Sequence, residues 1–193
     1  MVYSANQGLE NNDLIVQAKT SYNAFALLYR RHYDAIFKYC VHRLFDRHSA
    51  EDVTSQVFLK VVEKFHSFEG SERQYHYWLY KIATNFANDH LRKSARQKKA
   101  LSIYQEQSKI RNNNSVNSAE KLAVLRRAIF TLKSRYQTII TLCFFEKLKL
   151  TEIAEVLGSS PGTVRSQLAR ALAILRKKLS IEKGTFQLGD KTS

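Results

Sequence analysis

The segment TEIAEVLGSSPGTVRSQLARALAILRKKL, from Thr151 to Leu179, decides the fold. It reads as a short helix, a tight turn and a longer helix. Thr151 stands where an N-cap belongs, Ile153, Ala154 and Leu157 share one face, and Gly158 sits where a helix ends. Ser160 offers a second N-cap, and Pro161 takes the first helical position, where its missing N–H costs nothing. Beyond it, Val164, Leu168, Leu172, Leu175 and Leu179 recur as an apolar stripe. The opposite face carries Gly162, Thr163, Ser166, Ala169, Arg170 and Ala173, flanked by Arg165 and Gln167. A face this small, polar and cationic suits close approach to a DNA major groove. Two amphipathic core helices with a solvated basic side are the plainer alternative. The two caps, the Gly turn and the basic outer face together favour a helix-turn-helix. Its DNA-contacting candidates are Thr163, Arg165, Ser166, Gln167 and Arg170.

Composition narrows the partners. The 193 residues suffice for one domain or two small ones, and one Pro with six Gly predicts a mostly helical chain. A net charge of +14 favours a polyanion. An anionic membrane surface would also satisfy that charge, but no apolar run is long enough to span a bilayer. MVYSANQGLENNDL lacks a basic start followed by a hydrophobic core, so no secretory leader and a cytoplasmic location are expected. Cys40 and Cys143 fall in apolar helical patterns and are expected as buried, reduced thiols. The six histidines show no ligand-type spacing, so no metal and no cofactor is assigned.

The rest of the chain reads as helices. Phe25, Leu28, Ala35, Ile36, Tyr39 and Cys40 recur at helical spacing between Ser21 and Leu44, with Arg30, Arg31, Lys38 and Arg43 largely outside that stripe. Ser49 is predicted to start a second helix with Asp52 as its capping partner, burying Val53, Val57, Val61 and Phe65, with Phe58 and Val62 widening that face. After a loop around Glu69 to Glu72, Trp78, Ile82, Ala83 and Phe86 carry a third helix to about Leu91. Arg92, Lys93, Arg96, Lys98 and Lys99 follow with no acid among them, a density that suits phosphate contact. Residues from about 100 to 117 lack sustained periodicity and read as a linker, with room for a short helix around Leu101 to Gln107. Leu122, Leu125, Ala128, Ile129 and Leu132 form a further helix. Ser134 is predicted to cap another that buries Ile139, Ile140, Cys143 and Phe144. The expected fold is all-α: two small helical domains over 20–97 and 118–181, joined by a flexible linker over 98–117.

AEDVTSQVFLKVVEKF (Ala50 to Phe65) followed by WLYKIATNFANDHLRK (Trp78 to Lys93) resembles region two of bacterial extracytoplasmic-function sigma factors. LKSRYQTIITLCFFEKLKLTEIAEVLGSSPGTVRSQLARALAILRKKL resembles their region four. The likeness covers roughly residues 20 to 180 in the family's order. It implies a non-catalytic factor that binds core RNA polymerase and directs transcription initiation at promoter DNA. The helix from Ser49 to Phe65 would dock on the largest polymerase subunit, with Asp52, Ser55, Gln56 and Lys60 on the contact face. The loop matching Phe68 to Tyr77 would capture a base flipped from the minus-ten element, through Glu69, Ser71, Arg73 and Tyr75. Asn85, Asn88, Arg92 and Lys93 would read base edges and hold phosphates beside it, and Trp78 would belong to the core. The helix Pro161 to Leu175 would read the minus-thirty-five element. This chain departs from the family pattern at Ser55-Gln56, often Gln-Glu, and at Phe68-Glu69-Gly70, commonly Phe-Arg-Gly. It also has one more residue before Trp78, Tyr75 for a usual Phe, Pro161 for a common aliphatic residue and Gln167 for a common basic one.

A helix-turn-helix regulator acting without polymerase is the alternative, but it leaves Ala50 to Lys93 without a purpose. An enzyme on nucleic acid would need a P-loop, clustered carboxylates or a nucleophile–base pair; the sequence offers none, so no catalytic residue is assigned. An anti-sigma factor is a partner the resemblance implies. A separate DNA-targeting recruiter, even an RNA-guided one presenting displaced single-stranded DNA, is the other candidate.

Overall fold

The computed structural model describes residues 14–102 and 118–189, and the regular structure among them is helical. The predicted linker lies mostly outside the described residues. The chain divides into two compact units: the residues through Leu91 with Ala154–Ser159, and Arg92–Ile153 with the residues from Ser160 on. Among the described residues no helix is long and apolar enough to cross a membrane.

Three long helices build the first unit: α1 (Tyr22–Leu44), α2 (Arg47–Lys64) and the part through Leu91 of α3 (Glu72–Ser102), with a 3-10 turn at Phe65–Ser67 after α2. Ser21 caps α1 by accepting from the Ala24 N–H, and Phe45 ends it in the left-handed region at φ 54°. Asp46 caps α2 through its carboxylate, which accepts from the Ser49 N–H at 2.8 Å. The helix therefore begins two residues before the predicted start at Ser49, and Asp52 is an exposed residue inside it. An Asp placed just before a helix outcompetes a Ser inside it, because only the residue in front of the first turn faces the orphan N–H groups. At the head of α3, the Ser71 N–H donates to Gln74 Oε1 while Ser71 Oγ accepts from the Gln74 N–H. This reciprocal capping box satisfies two orphan donors at once. α3 then continues without interruption past Leu91, where the pattern predicts its end, to Ser102.

α1 packs against α2, with Phe25 on Phe65 and both Tyr29 and Tyr33 on Phe58. Against α3, α1 is joined by a ladder of polar contacts: Arg31–Glu72, His32–His76, Tyr39–Thr84 and Arg43–Asn88. The sequence separations are 41, 44, 45 and 45 residues. A nearly constant offset means that the two helices run side by side in the same direction.

That ladder explains where the apolar pattern misleads. Arg43, expected outside the stripe, is only 1% exposed. Along α3 the buried residues are Glu72, Tyr75, Leu79, Tyr80, Ala83, Thr84 and Ala87, whereas Trp78, Ile82 and Phe86 are half-buried. Polar side chains that find partners across a helix pair can be buried at reduced cost, and a hydrophobicity pattern cannot see them. Trp78 lies at the margin of the core, its ring 5.1 Å from that of Phe68.

The second unit contains α4 (Ser118–Phe130) and α5 (Ser134–Ile140), then a π-helical turn (Thr141–Phe145). Two helices follow in the chain, α6 (Leu150–Leu157), which is shared between the two units, and α7 (Pro161–Gly189), which belongs to the second. Ser134 is the first residue of α5, with Lys133 at the cap position and no side-chain cap bond. Buried Gln137 instead ties off the end of α4, donating to the Phe130 and Leu132 carbonyls at 3.0 and 2.8 Å. The wide turn, with the Glu146 N–H bonded to the Thr141 carbonyl, rotates the residues that follow. Thr141 and Leu142 are buried while Phe144 is exposed and Cys143 half-buried, so the predicted burial of Phe144 and Cys143 is corrected. α7 packs against α4 and α5.

Candidate nucleic-acid interface

Local chemistry shapes the turn between α6 and α7. Gly158 adopts φ +59°, and nothing lies within 4 Å of where a Cβ would stand, so conformation, not space, calls for glycine there. The Ser159 N–H reaches the Ala154 carbonyl at 2.9 Å and the Gly158 N–H reaches that of Glu155 at 3.3 Å, a Schellman end. Ser160 Oγ accepts from the Thr163 N–H at 3.1 Å, and α7 starts at Pro161, as expected. Thr151 does not cap α6. Glu152 does so from inside the first turn, its carboxylate accepting from the Lys149 N–H at 2.8 Å.

On α7 the inner face is Val164, Ala171 and Leu175, with Leu168, Leu172 and Leu179 half-buried. The outer face is what the pattern predicts: Gly162, Thr163, Arg165, Ser166, Ala169, Arg170 and Ala173 are all exposed, and Gln167 is half-buried on the flank. Ser166 Oγ donates to the Thr163 carbonyl and Thr163 Oγ1 lies 2.9 Å from Ser160 Oγ. These bonds hold the small polar side chains close to the helix, leaving Arg165 and Arg170 to project.

In the first unit a second polar surface runs along α3 from the loop at Phe68 to Ser71. Gly70 sits at φ +149°, and a Cβ there would meet Gln74 Oε1 at 2.8 Å and Phe68 Cζ at 3.2 Å. The loop rests on an aromatic cluster in which Phe68 and Phe65 both meet Tyr75 edge-on. Glu69 is exposed, Ser71 serves the cap, and Arg73 donates to the Tyr77 hydroxyl at 2.6 Å while lying over its ring. Tyr75, assigned above to base capture, is 0% exposed, and its hydroxyl has no hydrogen-bond partner among the described residues. That expectation is corrected: Tyr75 supports the loop from beneath, and burial raises its phenol well above the usual range. Asn85, Arg92 and Lys93 lie on the same helix, and all three are exposed. Asn88 is half-buried, and its Oδ1 accepts from Arg43 Nη2 at 2.8 Å. Exposed Lys81, one turn before Asn85, is a further cation of this surface that the sequence reading misses. Its spacing of four from Asn85 is the available signal.

A third surface, on α2, is of a different kind. Val53, Val57, Val61 and Phe58 face inward, so Asp52, Ser55 and Gln56 project outward as expected, and Lys60 lies on the flank in an ion pair with Glu63. Leu59 and Val62 share that outer side at 63% and 54% exposure. The apolar pattern places Val62 in the core and leaves Leu59 unremarked; both are corrected. Spacing of Leu59 by three and four from Gln56 and Ser55 is the signal that puts it on the outer face. Two bare aliphatic side chains among small polar ones form the kind of patch that a protein partner covers.

Residues 28–97 match the family model of sigma-70 region 2, and residues 122–175 match that of sigma-70 region 4. SigW, an ECF RNA polymerase sigma factor of Bacillus subtilis, is 30% identical over 172 residues, covering 83% of this chain and 91% of its own length. The ECF RNA polymerase sigma-E factor of Haemophilus influenzae is 29% identical over 167 residues, covering 81% and 87%. Among solved structures, CnrH in complex with the cytosolic domain of CnrY aligns with a TM-score of 0.65 at 22% identity, over 89% of this chain and 97% of that one. The sigma factor RpoE of Bartonella quintana, in complex with the anti-sigma factor NepR, aligns with a TM-score of 0.60 at 22% identity, over 81% and 97%. At those identities the likeness to the two structures is one of fold. With both sigma regions matched in series, and a relative matched over most of its length, the chain belongs to the ECF-type RNA polymerase sigma factors.

Proposed function

We propose that this sigma factor docks on core RNA polymerase mainly through the outer face of α2 and holds promoter DNA with the outer faces of α3 and α7. The observation that carries the docking surface is the pairing of bare Leu59 and Val62 with Asp52, Ser55 and Gln56 on a helix whose other side is fully packed. On α3, the pinned loop with Glu69, Ser71 and Arg73, followed by Asn85, Arg92 and Lys93, suits single-stranded minus-ten DNA, where stacked aromatics and cations work together. On α7, Thr163, Arg165, Ser166, Gln167 and Arg170 suit the major groove of the minus-thirty-five element. The chain carries no catalysis of its own in this reading. Residues 20–97 act as the polymerase and minus-ten module and residues 118–181 as the minus-thirty-five module.

An anti-sigma factor is the regulatory partner this reading favours, since NepR is an anti-sigma factor bound to a fold relative. A DNA-targeting recruiter is the alternative, and co-purification from the native host separates the two. The docking surface is tested by pull-down with purified core polymerase. Asp52→Lys combined with Gln56→Lys is expected to weaken capture at least tenfold with an unchanged melting curve. Full capture by that variant would sink the assignment. Failure of the unmutated chain to bind polymerase would return the alternative, a regulator acting without it.

A further inference from the structure

In the loop that leads into α3, every residue but one is committed to holding the loop's shape. The Phe68 ring lies 5.5 Å from that of Tyr75 and 5.1 Å from that of Trp78, and the Phe68 N–H donates to the Phe65 carbonyl at 3.0 Å. Gly70 turns with no room for a side chain, and Ser71 is spent on its reciprocal bonds with Gln74. Glu69, between Phe68 and Gly70, is exposed, and its carboxylate has no hydrogen-bond or ion-pair partner among the described residues. Its backbone is therefore fixed on both sides while its side chain stays uncommitted.

A carboxylate at this place is a liability for holding a strand by its phosphates. The chain carries a net charge of +14, and Lys81, Arg92 and Lys93 are exposed farther along the same helix. An acid on that surface repels the phosphates that the cations attract. It helps only a ligand that presents donors, because an ionised carboxylate has acceptors alone. Among the unpaired edges of the four bases, guanine alone presents two adjacent donors, N1–H and an N2–H, spaced to meet both oxygens of one carboxylate. Adenine and cytosine set a single amine beside a ring acceptor, and thymine sets one N–H between two carbonyls. Each of these three turns a lone pair toward the second carboxylate oxygen.

We propose that Glu69 makes this loop selective for guanine: its two carboxylate oxygens accept the N1–H and an N2–H of one unstacked guanine in single-stranded promoter DNA. This rests on the reading of the loop and α3 as the minus-ten surface. The fixed neighbours matter because a two-bond contact tolerates little misplacement, and a rigid loop loses little freedom when the base arrives. The preference falls on a single base because the loop offers one such side chain.

The test uses the full chain bound to core polymerase and a pool of short single-stranded DNA with randomised bases. Total retention is measured and the retained strands are sequenced. Guanine should be enriched at one position of the retained sequence, by about tenfold over each other base. Glu69→Ala should abolish enrichment at that position and leave the others as they are. It should also raise total retention, since a charge that repels phosphate is gone. Glu69→Gln should relax the same position, because an amide, with a donor beside an acceptor, matches a neighbouring pair on the edge of every base. Both variants should melt with the unmutated chain, as the carboxylate has no polar partner among the described residues to lose. A Glu69 that is only a solvated acid would give variants that retain every strand more strongly with each base preference intact, and that result overturns the proposal. So does a Glu69-dependent position that enriches any base but guanine. When the Glu69 result is negative, loss of retention in Lys81→Ala combined with Lys93→Ala confines the failure to Glu69. Unchanged retention in that double variant, with no base preference in the unmutated complex, overturns the minus-ten reading and the proposal together.

Discussion

Arg31 Nη1 donates to both carboxylate oxygens of Glu72, at 2.8 and 2.9 Å. This pair ties the first turn of α3, directly behind the Phe68–Ser71 loop, to the middle of α1. The two partners are unequally solvated: the Glu72 side chain is 11% exposed and that of Arg31 42%. Removing one therefore does not mirror removing the other. Arg31→Ala takes both bonds from a buried carboxylate that otherwise faces His32 Nε2 at 3.3 Å, and is expected to cost about 2 kcal/mol, in the range for hydrogen bonds to charged groups. Glu72→Gln keeps an acceptor and leaves a half-solvated guanidinium, and should cost less than half as much. Urea midpoints for the two variants decide it, and equal losses would show that the burial asymmetry does not matter.

Tyr75→Phe should leave stability unchanged or raise it by about 1 kcal/mol. The hydroxyl is buried without a hydrogen-bond partner among the described residues, so its removal relieves an uncompensated desolvation. DNA affinity should not change, because the ring lies beneath the loop. A drop in promoter binding at unchanged stability would restore Tyr75 to the recognition surface.

His32 gives the first unit a dependence on pH. Burial, then the neighbouring His76, push it from 6.5 down to about 4, with Glu72 opposing and Arg31 assisting. The native state thus refuses a proton that the unfolded chain accepts. Above pH 6.5 both states hold a neutral ring and the group contributes no slope. Between pH 6.5 and about 4 stability falls as the pH falls, by up to about 1.4 kcal/mol per unit. His32→Gln should remove that part of the slope. Denaturant titrations at stepped pH would refute the assignment if both proteins lost stability in parallel.

Arg170 is exposed on the outer face of α7, seven positions after Thr163. If it reads a guanine edge, Arg170→Ala should cost about 1–3 kcal/mol and relax preference at one base pair. If it holds phosphate, affinity should fall for all duplexes and the salt slope should shrink by about one. Binding measured at several salt concentrations separates these outcomes, and an unchanged affinity and slope would remove Arg170 from the interface.

Much of the candidate surface is legible without the fold. The outer face of α7 and the α2 triad Asp52, Ser55 and Gln56 follow from periodicity, since the residues opposite them are mostly apolar. The α3 surface is less readable. Its inward side carries Tyr75, Tyr80 and Thr84, so polarity no longer marks which residues face water.

What the sequence determined alone is the local architecture of the reading head. Gly158, Ser160 and Pro161 act through bonds spanning no more than five residues, and no distant element can alter their preference. Tertiary structure decided which polar groups are inside. Arg43 and Tyr75 are buried because α1 lies along α3, and Leu59 and Val62 are bare because no described residue of the first unit covers the outer side of α2. A buried cation needs hydrogen-bond acceptors, and the one that Arg43 finds on Asn88 lies 45 residues away, a proximity that exists only once the two helices have packed.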